Sequence, residues 1–158
     1  MGAIAQDSDE EWNAELQHLH IYTDRSASNG HASWAFCVLE DRQGKKLKMR
    51  GSMQGMVTTS QNSDLYMGME KADNYSAEVS AQAWAAAWLL RPSARSDQGE
   101  VPATIWYDST AAAQAVQTQT REGAQAQLVT VASTLATTAA SLRPMTWRHV
   151  AGHSPPLE

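Results

Sequence analysis

Three acidic residues of this 158-residue chain stand where carboxylates can do chemistry: Asp24 after the β-prone segment HLHIYT, Glu78 in the first turn of an Ala-rich helical stretch, and Asp108 closing the apolar run ATIWYD. If the segments ending in Asp24 and Asp108 are neighbouring parallel strands, both acids emerge side by side at one sheet edge, and Glu78 leans over them from a helix on that face. Three crowded carboxylates repel one another unless cations sit among them. Hard oxygen donors at this density suit Mg²⁺ or Mn²⁺, which keep waters and phosphate oxygens in their remaining positions. The combination points to a phosphodiester-cleaving centre. Taken singly, each acid also has a plainer use, because Asp after a strand is a common turn residue and Asp108-Ser109 can cap a following helix.

The elements that must position these acids follow from periodicity. HLHIYT alternates, DRSASNGH breaks it as a turn cluster, and SWAFCVLED resumes, which gives a hairpin. DRQGKK is a second turn, and LKMRGSMQGMVTT a third antiparallel strand. Residues 60–74 are polar and irregular. They lead into YSAEVSAQAWAAAWLLRP, a helix stopped by Pro92, with Asp73, Asn74 or Ser76 as N-cap and Val79, Ala83, Ala86 and Leu90 as its apolar stripe. ATIWYD is a short strand. Helical stretches at about 110–119 and 124–142 follow, the second ended by Arg143 and Pro144, and MTWRHV alternates as a last strand. The order β-β-β-α-β-α-α-β predicts an α/β fold whose mixed five-stranded sheet has three antiparallel strands and then two parallel ones, flanked by helices.

Residues 1–16 are acidic and read as a leader or linker, with one domain over 17–158. The net charge of -5 argues against a nucleic-acid binder. Five of the 17 acids precede residue 16, however, so the remainder carries twelve acids against twelve bases. No apolar run reaches membrane-spanning length, and the N-terminus lacks the pattern of a secretory signal, so an intracellular location without membrane attachment is expected. The single cysteine, Cys37, excludes an internal disulfide and reads as a small buried apolar residue.

The blocks YTDRSAS, NYSAEVSAQAWA, IWYDST and RHVAGHS resemble the four motifs of the ribonuclease H family, over about residues 18–154. The stretch ending YMGMEKADNYSAE is similar to the versions attached to the reverse transcriptases of non-LTR retrotransposons. The resemblance implies an endonuclease that hydrolyses the RNA strand of RNA/DNA hybrids. Two Mg²⁺ ions, replaceable by Mn²⁺, would be held by Asp24, Glu78, Asp108 and a fourth acid, one activating water and the other stabilising the departing 3′ oxygen. His153 matches the family histidine that assists proton movement or product release. Asn74 matches a groove-contacting position and equally suits a helix cap; Ser26, Ser28 and Asn29 lie where small polar groups touch the RNA strand. Trp84, Trp88, Trp106 and Trp147 are expected in the core, with Trp34 undecided, and His149 is read as a strand residue.

Three departures from the family pattern stand out. Between Asp108 and His153 the bases are Arg121, Arg143 and Arg148, so a lysine-rich hybrid grip is absent there; Arg42, Lys45, Lys46, Lys48 and Arg50 form an alternative cluster. The sequence stops at Glu158, before the helix expected to carry the fourth acid, and Leu157-Glu158 matches what a cloning site would leave. An open sheet face of that kind invites homodimerisation. Arg25 stands where the family often has Gly. These departures keep a second reading in view: a catalytically impaired ribonuclease H-like module that binds nucleic acid or a protein partner.

Overall fold

The alternating segments at the start of the chain pair as three antiparallel strands: β1 (Leu16–Ser28), β2 (His31–Arg42) and β3 (Lys48–Met56). The computed structural model describes residues 15–91, 101–118 and 125–150. Beyond β3 come α1 (Asn74–Leu89), β4 (Ala103–Tyr107), α2 (Thr110–Thr118), α3 (Ala126–Leu142) and β5 (Met145–His149). The strands lie in the order β3-β2-β1-β4-β5, with β4 parallel to both β1 and β5. The mixed α/β sheet expected from the sequence is therefore present in full.

One boundary differs in a way that matters. DRSASNGH is not a turn throughout: β1 continues past Asp24 as far as Ser28, which pairs with His31. Only Asn29 and Gly30 turn, with φ of 53° and 78°. Both central residues in the left-handed region make the two-residue hairpin whose twist matches the strands, and Asn-Gly is the pair that tolerates it. The polar composition of residues 24–28 reflects exposure where β1 runs on past its last pairing with β4, rather than loss of strand structure.

Helix α1 is the centre of the molecule, packed against β1 and β2 on one side and α3 on the other. Val79, Ala83 and Ala86 are buried as the stripe requires, with Leu89 rather than Leu90 completing it. Burial extends around the helix to Ser76, Glu78, Ser80 and Gln82, because a helix between two layers has little outer face. Ala77, Ala81 and Ala85 are also inaccessible, and these small side chains let sheet and helix approach closely. Asp73 is the cap: its Oδ1 accepts from Ser76 N at 2.8 Å, and Asp73 N donates to Ser76 Oγ at 2.9 Å. This reciprocal box satisfies two donors and settles Asn74 as the exposed first helical residue.

Arg143, expected only to mark the end of α3, is buried and ties three elements together. Its Nη1 donates to Val101 O at 3.3 Å and its Nη2 to Leu89 O at 3.2 Å, placing a cation at the carbonyl end of α1. Gln125 does similar work for the long connection before α1: its Oε1 accepts Glu70 N and its Nε2 donates to Lys71 O. Trp84, Trp88 and Trp147 pack against the core as expected, and Trp34, undecided from sequence, is the most enclosed of the described tryptophans. Trp34 is buried and stacked on Trp84, while Trp84, Trp88, Trp106 and Trp147 are each half-buried.

Candidate active site

Asp24 and Asp108 are brought level by register. Tyr22 lies beside Trp106 in the parallel pairing of β1 and β4, and each aspartate follows its strand neighbour by two residues. Both aspartates border a cleft of about 590 Å³ on the sheet, lined also by Tyr22, Thr23, Cys37, Gln54 and Val150. Asp24 is exposed, and Asp108 is half-buried. Burial pushes the Tyr22 hydroxyl up to about 12 and raises the Cys37 thiol, so at neutral pH both stay protonated and the charge of this cleft comes from its aspartates. Cys37 is half-buried at the cleft wall rather than fully enclosed.

Glu78 approaches from behind. Its side chain is fully buried, and Oε1 accepts the backbone N–H groups of Asp108 at 3.1 Å and Ser109 at 3.2 Å. The carboxylate thus fixes the corner where β4 passes into α2. The cap of α2 falls to Ser109, whose Oγ accepts from Ala112 N, and this leaves the Asp108 carboxylate to other partners. His149, at the end of β5, shares a 3.0 Å hydrogen bond with the Asp108 carbonyl and touches Tyr107 edge-on. That bond braces the same corner from its other side.

Arg25 meets all three acids. Its backbone N–H donates to Asp24 Oδ1 at 2.8 Å, its Nη2 lies 3.0 Å from Asp108 Oδ2, and its Nε lies 3.9 Å from Glu78 Oε2. The last distance is too long for a hydrogen bond, and both Nε and Oε2 are buried without one. Among the described residues, no three His, Cys, Asp or Glu side chains stand close enough to enclose one metal ion. The expected convergence is therefore partial. Asp24 and Asp108 share a cleft, Glu78 reaches Asp108 through its main chain, and a guanidinium occupies the space between the carboxylates of Glu78 and Asp108.

The donor chemistry nevertheless suits a hard divalent cation. All three side chains offer carboxylate oxygens, and a buried Oε2 without a hydrogen bond faces a position already held by positive charge. Asp24, Glu78 and Asp108 are the residues that would hold such an ion once Arg25 withdrew.

No protein-family model and no curated protein matches the sequence. Solved structures do match. The N-terminal ribonuclease H domain of a Mycobacterium tuberculosis protein, solved as a fusion with maltose-binding protein, superposes with a TM-score of 0.57 at 15% identity, covering 86% of this chain and 83% of that one. The chain has the ribonuclease H fold. Another similar structure is a ribonuclease H1 isolated from compost, in complex with an RNA/DNA hybrid: TM-score 0.56 and 14% identity over 84% of each chain. The prototype foamy virus protease-reverse transcriptase gives a TM-score of 0.58 at 13% identity, covering 90% of this chain and 18% of that one.

Within this ribonuclease H fold the remaining expected residues are scattered. Ser26 Oγ is hydrogen-bonded to Ser33 Oγ at 2.7 Å across the hairpin. Asn29 forms the turn, and Asn74 is exposed at the start of α1, four residues before Glu78. His153 lies outside the described residues. The basic cluster at the β2–β3 turn borders a separate cavity of about 660 Å³. Leu16 pairs with Arg42 and Asp24 with Ala35, so this turn is eight strand residues, roughly 26 Å, from Asp24. Arg42 and Arg50 are engaged with Glu40, and Arg50 also covers the Trp88 ring.

What the sequence does not reveal of Arg25 is that its side chain reaches Asp108 and Glu78. Its departure from the family glycine was visible, but a β-strand residue's side chain can be assigned to a face only when strand limits are known, and β1 extended beyond the expected end.

Proposed function

We propose that this chain is a divalent-metal-dependent endonuclease that hydrolyses the RNA strand of RNA/DNA hybrids, and that it works as part of a retroelement reverse transcriptase. The observation that carries this reading is the placement of Asp24, on β1, level with Asp108, one residue past the parallel strand β4, with Glu78 bonded to the main chain of Asp108. The fold supports it, as does the similarity to one structure holding a hybrid and another belonging to a protease-reverse transcriptase.

Two Mg²⁺ ions, or Mn²⁺ in their place, would supply an activated water and neutralise charge developing on the scissile phosphate. The chain's own residues do the positioning. Glu78, buried and doubly bonded through Oε1, cannot swing away, so it offers Oε2 in a fixed direction. Asp24 and Asp108 border the open cleft, where a nucleic-acid backbone has access. Thr23 Oγ1 donates to Trp106 O at 2.8 Å, which locks β1 to β4 directly before the two aspartates. Ser26, Asn29 and Asn74 would touch the hybrid, and His153 would assist proton movement; Lys45 and Lys46 provide charge for the flanking duplex.

Arg25 favours a second reading. A cation already seated between Glu78 and Asp108 is what a module that binds hybrid without cutting it would retain. Purified protein incubated with labelled RNA/DNA hybrid, duplex DNA and duplex RNA, each with Mg²⁺, Mn²⁺ or chelator, separates the two. Hybrid-only cleavage that needs metal and is lost in Asp24→Asn supports the nuclease. Hybrid binding without cleavage in any metal supports the module.

A further inference from the structure

We propose that Arg25 is a built-in counter-ion that competes with the metal: it holds the acid cluster together before metal arrives and must swing out for metal to bind. The inference rests on the metal-dependent reading above and adds a residue to it.

Three carboxylates at one corner of a sheet repel one another in the absence of a cation, and Glu78 has no access to water that would screen it. The chain answers with one residue that meets every member, through its main chain at Asp24 and its side chain at Asp108 and Glu78. The Arg25 main-chain N–H orients Asp24, Nη2 forms a close ion pair with Asp108, and Nε faces Glu78. The planar guanidinium presents several N–H donors in a fixed fork, so one side chain can face two acids at once.

The fit is incomplete, and that makes the arrangement displaceable. Nε and Glu78 Oε2 are both buried, both lack a hydrogen bond, and stand 3.9 Å apart. An Arg–carboxylate pair at its best makes two parallel hydrogen bonds; here the fork is spread over two acids and satisfies only one of them closely. A divalent cation placed at the same point gives Oε2 a direct bond and carries twice the charge. Arg25 is also about one-quarter exposed, so its side chain has a route to solvent that Glu78 lacks. Metal uptake and guanidinium release are then one exchange, and the apparent metal affinity is lowered by the stability of the arginine-bound state.

The test is calorimetric titration of Mn²⁺ into chelator-stripped wild type, Arg25→Gln, Arg25→Gly and Arg25→Lys, with thermal unfolding of each followed in EDTA and in Mn²⁺. The expected result is about tenfold tighter Mn²⁺ binding in Arg25→Gln and Arg25→Gly, with Arg25→Lys between them and wild type. In EDTA, Arg25→Gln should melt below wild type, and Mn²⁺ should close that gap. Equal or weaker Mn²⁺ affinity in the neutral variants overturns the inference while leaving the metal-dependent reading standing. Absence of Mn²⁺ binding in wild type and all variants overturns that reading and the inference with it. Should Arg25→Gly fail to fold in EDTA, Arg25→Lys, which keeps the charge on a different stem, decides through its affinity relative to wild type.

Discussion

Glu78 Oε1 receives the backbone N–H of Asp108 at 3.1 Å, so a helix side chain is joined to the main chain just past β4, at the corner that carries the candidate chemistry. Truncation by Glu78→Ala leaves the Asp108 and Ser109 donors without their acceptor and opens a cavity beside them. A loss of about 3 kcal/mol in unfolding free energy is expected. Urea denaturation checks it. Glu78→Gln, which retains an oxygen acceptor, should lose less stability while losing hybrid cleavage.

Removing the buried cation at the opposite end of α1 has a comparable effect for a different reason. Arg143→Met keeps much of the volume but abandons the carbonyls of Leu89 and Val101. Destabilisation of about 2–3 kcal/mol is expected, without a change in Mn²⁺ affinity. Paired denaturation and calorimetry read both quantities.

Gly55 lies opposite Trp34, and a Cβ built there comes within 2.6 Å of the indole. The ring has little room to retreat, being buried and stacked on Trp84 at 5.4 Å and on Phe36 at 6.3 Å. Gly55→Ala should therefore cost about 1–3 kcal/mol through overpacking, despite alanine's better backbone entropy. A lowered melting temperature together with a shifted tryptophan emission is the expected signature.

Acidification should weaken the fold through His18 and His20. Their rings stack at 4.5 Å, His18 Nε2 is hydrogen-bonded to Thr104 Oγ1, and Trp106 Nε1 donates to His20 Nδ1. An acceptor Nδ1 requires neutral His20. Burial lowers both pKa values from 6.5, partly opposed by Asp41, with His18 lowering His20 further. The unfolded chain thus binds protons that the folded one refuses. Stability is highest above about pH 6.5 and falls as pH drops toward the depressed folded values. Melting temperatures at pH 8, 6 and 5 should decline in wild type and flatten in a His18→Asn, His20→Asn variant.

Much of this was legible in the sequence, for identifiable reasons. Strong alternation and the Ala-rich run fixed the element order. The strand–acid, helix–acid, strand–acid sequence placed Asp24 and Asp108 together once crossover connections made β1 and β4 parallel. What stayed hidden depended on contacts between distant residues. Arg143 reads as a helix end because its partners, Leu89 and Val101, come from other elements. The hairpin beyond Asp24 reads as loop because the exposed stretch of β1 past β4 loses the apolar half of its alternation. Arg25 reads as an oddity because its three acidic neighbours meet only in the folded chain.

The sheet order carries a last consequence, for the order of assembly. The β1–β2 hairpin can form from local sequence, but the pairing of Leu19 with Ala103 closes a loop that contains β2, β3 and all of α1. Such a closure is entropically slow and comes after local contacts. Asp24 therefore has no Asp108 beside it until the two halves of the domain have docked. A nascent or partly unfolded chain carries the acids as separate side chains, and the proposed ion site would be a late marker of complete maturation.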